Sequence, residues 1–251
     1  MLDSIKLRVI EDIAKEAGSV IMKIYQRDFS IDYKDDNSPL TEADIKANEI
    51  ICNALKNYYP NIPIMSEENK QTEYNKRKDR ELYWCIDPID GTKEFIKKNG
   101  EFTVNIALIQ RGTPVLGVVY APAIDEIYIA KKGDGAFKNG ERLPLRVNET
   151  PEKKLKVVAS KSHLSKETQE FIDSLQTQEV EQVSYGSSLK LCMVASGEAD
   201  IYPRMAPTME WDTAAADAIV REAGKMTYIY ESEKPVVYNK EDLLNPWFVV
   251  K

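Results

Sequence analysis

Residue types that define several common functional classes are scarce in this chain of 251 residues. The chain contains one histidine, His163, and three cysteines, Cys52, Cys85 and Cys192. One histidine cannot supply a histidine-rich metal site, and the widely spaced cysteines offer neither a zinc-ligand pattern nor a disulfide framework. Because the cysteines stand in apolar contexts, we predict that they are buried thiols in a reducing, cytoplasmic compartment.

Long apolar runs and an excess of positive charge are also absent. No run approaches the ~20 apolar residues that a membrane-spanning helix needs, so we predict no integral membrane segment. Acidic residues interrupt the amphipathic N-terminal segment, which excludes a signal peptide. The formal net charge of −7 argues against a nucleic-acid-coating surface, although a basic pocket would still attract small anions. The sequence leaves open whether the protein is a monomer or a homodimer.

The motif Asp-Pro-Ile-Asp-Gly-Thr at residues 87–92 places two aspartates next to a glycine and a threonine. It follows an apolar run at 82–86 that predicts a buried strand, so Asp87 is expected at the carboxyl end of that strand. Gly91 permits a tight reversal, and a helix can begin after it. Two close carboxylates favour a hard cation such as Mg²⁺, and a phosphate could then bridge the metal and the helix N-terminus. The alternative is that both aspartates only cap a turn.

Other acidic candidates each have an ordinary structural alternative. Asp44 stands three residues after Thr41 at the start of a predicted helix, an arrangement that resembles a capping box. Glu67 follows a short predicted strand, but adjacent glutamates are common on exposed surfaces. Asp212 begins a predicted helix, where an N-cap role is the usual explanation. Asp217 in the same helix is predicted to lie on a solvated face.

The chain changes its pattern near residue 146. Residues 102–145 predict a β-meander, whereas the later residues alternate between predicted strands and helices. We therefore predict an N-terminal unit of residues 1–146 and a C-terminal unit of residues 147–251. The charged stretch 69–81 is predicted to be a mobile surface loop, solvated by default and alternatively a lid.

The second half also contains a candidate anion site. Gly186-Ser187-Ser188 stands at a predicted helix start, with Lys190 one turn later. Free N–H groups, two hydroxyls and an ammonium group would together hold an anion, although serine caps are common without a ligand. His163 follows a strand and could contact an anion.

In order and spacing, three elements resemble the signature of the Li⁺-sensitive, Mg²⁺-dependent phosphatases of the inositol monophosphatase superfamily. These elements are Glu67 after Ser66, the motif at 87–92, and Trp211-Asp212. Within that superfamily, four further segments resemble bacterial 3'(2'),5'-bisphosphate nucleotidases of the CysQ type: residues 90–96, 99–108, 186–190 and 202–204. The similarity extends from Pro39 to Pro246.

The resemblance implies an α/β (α+β) fold, a layered αβαβα sandwich of the sugar-phosphatase type. The N-terminal half would combine helices with an antiparallel sheet, and the smaller C-terminal half would be α/β. The implied activity is Mg²⁺-dependent hydrolysis of the 3'-phosphate of adenosine 3',5'-bisphosphate to AMP and phosphate, as part of sulfate assimilation. The alternatives are inositol monophosphatase or fructose-1,6-bisphosphatase activity at the same metal site, or a nucleotide-binding regulator.

The resemblance also implies roles for individual residues. Two or three Mg²⁺ ions would be held by Glu67, Asp87, the carbonyl of Ile89, Asp90 and Asp212, and Li⁺ and Ca²⁺ are expected to inhibit. Thr92, supported by Asp44, would orient or activate the attacking water. The substrate is expected to contact Gly91, Thr92, His163, Ser187, Lys190, Arg204 and Asp212. The chain departs from many relatives at Ala216-Asp217 and in detail at 205–210, which puts the choice of base in doubt.

Overall fold

The computed structural model describes residues 2–34, 38–145, 154–160, 164–175 and 179–251. Up to residue 145 the regular elements are α1 (Leu7–Tyr25), β1 (Ile31–Tyr33), β2 (Pro39–Thr41), α2 (Glu42–Tyr58), β3 (Ile64–Ser66), α3 (Tyr74–Arg77), β4 (Leu82–Asp90), α4 (Thr92–Ile96), β5 (Thr103–Gln110), β6 (Thr113–Ala121), β7 (Glu126–Lys131), β8 (Gly135–Lys138) and β9 (Glu141–Arg142). The later elements are β10 (Lys154–Ser160), α5 (Lys166–Ser174), β11 (Glu179–Tyr185), α6 (Leu189–Ser196), β12 (Tyr202–Arg204), α7 (Glu210–Glu222), β13 (Thr227–Ile229) and β14 (Phe248–Val250).

A seven-stranded sheet in the order β3-β4-β5-β6-β7-β8-β9 forms the centre of the molecule. The pair β3–β4 is parallel, and the remaining pairs are antiparallel, as the predicted meander requires. Successive side chains of a strand point to opposite faces of the sheet. In β4, Trp84 and Ile86 therefore pack in the apolar cluster with α1 and α2, whereas Tyr83 and Cys85 pack in the cluster with α6 and α7.

A second group of strands lies beyond α6 and α7. Strands β10 and β11 pair in parallel, and β12, β14 and β13 form a three-stranded antiparallel sheet in that order. A bridge between Val157 and Ile201 joins the two groups next to β12. Helix α5 covers this layer, since its Ile172 is buried in one apolar cluster with Val157 and Ala159. The succession of helices, sheet, helices, strands and helix matches the expected αβαβα sandwich.

Two sequence predictions need correction. Residues 69–81 are not an unanchored loop: they contain α3, and the Arg77 guanidinium is buried, donating to Asn239 Oδ1 and to the carbonyl oxygen of Glu241, each at 2.9 Å. Asp217 is not solvated but 0% exposed, because Arg221 Nε and the Tyr238 hydroxyl both donate to its Oδ2 at 3.0 Å.

Three further expectations have different outcomes. In the described part of the chain, no helix combines the length and the apolar character needed to cross a membrane. The proposed boundary at residue 146 falls among residues outside the described ranges, so the two-unit division stays a prediction. All three cysteines are free and buried, as expected.

Candidate active site

Three carboxylates from three separate elements meet at one point of the structure. Glu67 follows β3, Asp87 lies in β4 and Asp212 lies in the first turn of α7. One oxygen from each can be chosen so that all three lie within 4.8 Å of one another. The spacing suits a shared divalent cation, because hard cations are bound by several carboxylate oxygens at once.

The local fold orients each of these carboxylates. The backbone N–H of Glu67 donates to the carbonyl of Ile86 at 3.1 Å, which extends the β3–β4 pairing by one residue. Asp87 accepts the N–H of Ile89 on Oδ1 at 3.0 Å, and Asp212 accepts the N–H of Met209 on Oδ2 at 2.9 Å. Both aspartates therefore have one oxygen held by the backbone and the other available to a ligand.

Asp90 lies beside this trio with a different set of partners. Strand β4 continues to Asp90, with a shift in its pairing with β5 between Asp87 and Asp90, so the strand does not end at Asp87 as predicted. The Oδ2 atom of Asp90 accepts the backbone N–H of Ser188 at 2.5 Å. The residue thus connects the motif at 87–92 to the start of α6.

The acidic groups destabilise one another electrostatically. Burial, and then the carboxylates of Glu67 and Asp90, raise the pKa of Asp87 well above its ordinary value. Burial and the same two neighbours likewise raise the pKa of Asp212. Burial raises the pKa of Asp90 to about 6, although Lys190 opposes this change. Carboxylates with raised pKa values and free oxygens fit a divalent cation, which would replace the protons that they otherwise retain.

One ammonium group approaches the same site from the β1–β2 hairpin. Lys34 Nζ lies 2.7 Å from a carboxylate oxygen of Glu67 and 2.7 Å from one of Glu68. Sequence analysis did not single out Lys34, because nothing in the local pattern indicates that the hairpin folds over Glu67. Burial raises the pKa of Glu68 to about 7, even with the Lys34 hydrogen bond.

Asp44 combines a capping role with a contact to the site. Its Oδ2 accepts the N–H of Thr41 at 2.8 Å and the Thr41 hydroxyl at 2.6 Å, so the predicted capping box is present. Its Oδ1 accepts the Thr92 hydroxyl at 3.3 Å, and the carbonyl of Ile89 is an alternative acceptor for that hydroxyl at 3.2 Å. Burial raises the pKa of Asp44. Asp44 can cap the helix and contact Thr92 at the same time because its carboxylate has two oxygens.

The candidate anion site lies at the start of α6. Lys190 is 5% exposed, its Nζ donates to the carbonyl of Ser187 at 2.5 Å, and it lies 5.6 Å from the centroid of the Tyr202 ring. Burial lowers the pKa of Lys190 to about 8, while Asp90 acts in the opposite direction. Arg204 donates to the carbonyl of Pro207 at 2.9 Å, and its buried Nε has no acceptor in the described part of the chain. Arg204 lines the same cavity as Lys190 and adds a second cationic side chain to it.

A single cavity of about 440 Å³ joins the acidic and the basic groups. The predicted site residues that line it are Glu67, Asp87, Ile89, Asp90, Gly91, Thr92, Ser187, Lys190, Arg204 and Asp212. Asp44 is outside the lining and reaches the site through Thr92. His163 lies outside the described residues, so its contact with an anion stays a prediction.

Several lining residues were missed by sequence analysis. Lys93 follows Thr92 in α4, Tyr185 ends β11, and Thr208 precedes α7. Tyr185 directly precedes Gly186-Ser187-Ser188, and Lys93 directly follows the motif at 87–92. Their position beside these motifs could have identified them from the sequence. Thr208 belongs to the segment 205–210, which the resemblance connected with the choice of base, but it was not named as a site residue.

The comparisons with known proteins agree with this geometry. The model of the inositol monophosphatase family matches residues 6–247. The chain belongs to the inositol monophosphatase family. Its mixed α/β architecture is that of family members of known structure, including an IMPase of Thermotoga maritima, with 27% identity and a TM-score of 0.75 over 95% of this chain and 89% of the other.

Within the family, the chain is similar to proteins named 3'(2'),5'-bisphosphate nucleotidase CysQ. It is 43% identical over 248 residues to the protein of Salmonella typhimurium, which covers 97% of this chain and 98% of the relative. It is 44% identical over 243 residues to the Escherichia coli K12 protein, covering 95% and 96% of the two chains. The crystal structure of CysQ from Bacteroides thetaiotaomicron has a TM-score of 0.88 and 46% identity, covering 98% and 96%.

Proposed function

We propose that this protein is a Mg²⁺-dependent 3'(2'),5'-bisphosphate nucleotidase that hydrolyses adenosine 3',5'-bisphosphate to AMP and phosphate. The observation that carries the proposal is the cavity itself, which joins three converging carboxylates to Lys190 and Arg204. A substrate with two phosphates would use both groups of residues in the cavity. One phosphate reacts at the metal ligands, and the other is held by the cationic side chains. The cavity volume of about 440 Å³ suits a ligand of nucleotide size. The relatives named above support this choice of substrate.

The residues that would hold the metal are Glu67, Asp87, Asp90, Asp212 and the carbonyl of Ile89. Their donor atoms are all oxygens, and no sulfur or imidazole ligand is needed, which fits Mg²⁺. When bound, Mg²⁺ lowers the pKa of water and offsets negative charge on phosphoryl oxygens. Li⁺ and Ca²⁺ are expected to inhibit by competing for these ligands, and the number of ions stays a prediction of two or three.

The protein's own groups orient the reactants. When the Thr92 hydroxyl donates its proton to Asp44 Oδ1, the Thr92 oxygen is left to accept a hydrogen bond from the attacking water. Arg204 and Lys190 both line the cavity, and their cationic groups would bind the phosphate that does not react. Thr92 and Asp44 therefore act on the water, whereas Lys190 and Arg204 hold the nucleotide in register.

Substrate profiling tests the proposal. Purified protein is assayed for Mg²⁺-dependent phosphate release from adenosine 3',5'-bisphosphate, inositol 1-phosphate and fructose 1,6-bisphosphate. We expect the highest kcat/KM with the nucleotide, inhibition by Li⁺ and Ca²⁺, and little activity in Asp90→Asn, which deletes a metal-ligand charge. Asp134→Asn, in the exposed turn before β8, is the matched control and should retain activity.

The other outcomes identify the alternatives. Faster turnover of inositol 1-phosphate or fructose 1,6-bisphosphate would reject the nucleotide as the preferred substrate but would still support the proposed metal site. Nucleotide binding without phosphate release at any Mg²⁺ concentration would indicate a regulator. Full activity of Asp90→Asn would reject the assignment of the metal ligands.

A further inference from the structure

The segment 238–245 connects two parts of the chain that carry candidate metal ligands. It runs between β13 and β14 without regular secondary structure, yet Tyr238, Leu243 and Asn245 are buried. We call this segment the brace. Its polar groups face the first turn of α7 on one side and the segment around Arg77 on the other.

The first side of the brace holds the residues around Asp212. Asn245 Nδ2 donates to the carbonyl of Met209 at 2.8 Å and to the Thr213 hydroxyl oxygen at 3.0 Å, and Thr208 Oγ1 is a further acceptor at 3.3 Å. The backbone N–H of Asn245 donates to the carbonyl of Thr208 at 2.8 Å. Asn245 thereby contacts the residues immediately before and after the Glu210–Asp212 turn.

A buried carboxylate strengthens this side of the brace. Glu210 is 0% exposed and accepts the N–H of Asn239 at 2.7 Å and the N–H of Lys240 at 2.9 Å. Lys240 Nζ adds a third hydrogen bond at 2.6 Å, so the buried charge is paired. Glu210 stands two residues before Asp212, and its fixed position restricts where the α7 N-terminus can lie.

The second side of the brace holds the chain that follows Glu67. Arg77 Nη1 donates to Asn239 Oδ1 at 2.9 Å, and Asn239 Nδ2 donates back to the carbonyl of Arg77 at 2.9 Å. Within the same stretch, Gln71 Nε2 donates to the carbonyl of Ser66 at 2.6 Å. Arg77 Nε donates to the carbonyl of Thr72, the residue after Gln71, at 3.2 Å. Hydrogen bonds and the Gln71–Thr72 peptide bond thus connect the residue before Glu67, through Arg77 and the brace, to the turn that carries Asp212.

We infer that Asn245 is a positioning residue of the metal site and that the brace sets the affinity for divalent cations by fixing Asp212 relative to Glu67. This inference rests on the proposed metal-dependent function. The route to Asp212 is short, because Met209 donates its N–H to Asp212 Oδ2 and receives the Asn245 amide on its carbonyl. Truncating Asn245 leaves the Met209 carbonyl without that donor and lets the carboxylate of Asp212 move.

Direct metal binding tests the inference. The Kd for Mn²⁺ is measured by electron paramagnetic resonance without substrate, together with the Mg²⁺ concentration that gives half-maximal activity, in wild type and Asn245→Ala. We expect both constants to rise about tenfold, in line with the loss of groups that orient metal ligands. At saturating Mg²⁺, kcat should return close to the wild-type value, because Asn245 touches neither substrate nor water in this account.

The control separates positioning from general stability. Asn139→Ala removes the side-chain oxygen that accepts the N–H of Ile127 in the β7–β8 region, away from the cavity. It should lower the melting temperature without changing the Kd for Mn²⁺. If Asn245→Ala does not fold, Tyr238→Phe removes a hydroxyl that lies 3.3 Å from Thr213 Oγ1 and 3.0 Å from Asp217 Oδ2, both in α7. This variant is expected to weaken Mn²⁺ binding in the same direction.

An unchanged Kd for Mn²⁺ in the folded variant would overturn the inference, even if its melting temperature fell. Failure of the wild-type protein to bind Mn²⁺ would overturn the proposed metal site as well, so the two failures are distinguishable. A lower kcat at saturating Mg²⁺ with an unchanged Kd would also reject the brace as a determinant of metal affinity.

Discussion

The Thr92 hydroxyl lies between two acceptors at the edge of the cavity, Asp44 Oδ1 at 3.3 Å and the carbonyl of Ile89 at 3.2 Å. If this hydroxyl orients the attacking water, Thr92→Ala should lower kcat for the nucleotide by about a hundredfold or more, the usual scale for a group that takes part in proton transfer. KM should change little, because binding of the second phosphate depends on Arg204 and Lys190. Steady-state kinetics at saturating Mg²⁺ provide the measurement.

Thr92→Ser is the matched control for this prediction. Serine keeps the hydroxyl and removes only a methyl group, so most of the activity should remain. A Thr92→Ala protein with wild-type kcat would show that the hydroxyl plays no part in the chemistry. Equal losses in both variants would instead indicate that the threonine methyl group supports the local packing.

Single residues also mark the limits of prediction from sequence. The capping box of Thr41 and Asp44 was predicted correctly because its partners are three residues apart. The burial of Asp217 was not predicted, because its partner Tyr238 is 21 residues away. An aspartate in a helix is ordinarily solvated, and only the tertiary structure supplies the hydroxyl and guanidinium that pair it.

Among the elements, strands with regular alternation were the most predictable. The hydrophobic pattern of residues 102–145 fixes which side chains face each helical layer, and the antiparallel order β5 to β9 follows from short turns. The stretch 69–81 was interpreted wrongly, because its anchor is the charged residue Arg77 rather than an apolar one. An arginine is buried only when distant acceptors are supplied, here by the segment 239–241.

Close packing of α7 against the central sheet depends on small residues at their contact. Gly117 lies in β6, and a Cβ atom there would collide with the carbonyl oxygen of Ala215 and lie 2.9 Å from the Ala218 side chain. We expect Gly117→Ala to lower the free energy of unfolding by about 2 kcal/mol or more, since backbone atoms cannot yield as a flexible side chain does. Urea denaturation, followed by circular dichroism, measures the change.

Gly133→Ala separates this collision from the general cost of replacing glycine. Gly133 has a φ of +87° and nothing within 4 Å of a Cβ atom. Its substitution should cost about 1 kcal/mol, from the left-handed backbone conformation alone. If Gly117→Ala were no more destabilising than Gly133→Ala, the result would contradict the close packing of α7 against β6.

At the scale of the whole molecule, the site is assembled from residues far apart in the chain. Local patterns predicted the strand before Asp87 and the helix near Asp212, but neither indicates that Glu67, Asp87 and Asp212 converge within 4.8 Å. That expectation came from the resemblance to a known family. Lys34 and the brace were not anticipated, because both act through contacts that span many elements.

The converging carboxylates make stability depend on pH in a direction that follows from their pKa values. Burial raises the pKa of Asp90 from 3.8 to about 6, and burial also raises those of Asp87 and Asp212. Between about pH 4 and about pH 6 the folded protein therefore binds more protons than the unfolded chain, which has ordinary aspartate pKa values. Without divalent ions, the free energy of unfolding should fall as the pH rises through this window.

Mg²⁺ should reverse this trend, because it binds the deprotonated carboxylates of the folded protein and competes with their protons. We expect the increase in melting temperature produced by Mg²⁺, relative to EDTA, to be small at about pH 5 and large at about pH 7.5. Asp90→Asn should weaken the pH dependence in EDTA, because one group with a raised pKa is removed. A Mg²⁺-induced increase that is equal at both pH values would mean that the carboxylates are not protonated in the folded protein, and the electrostatic account of the site would fail.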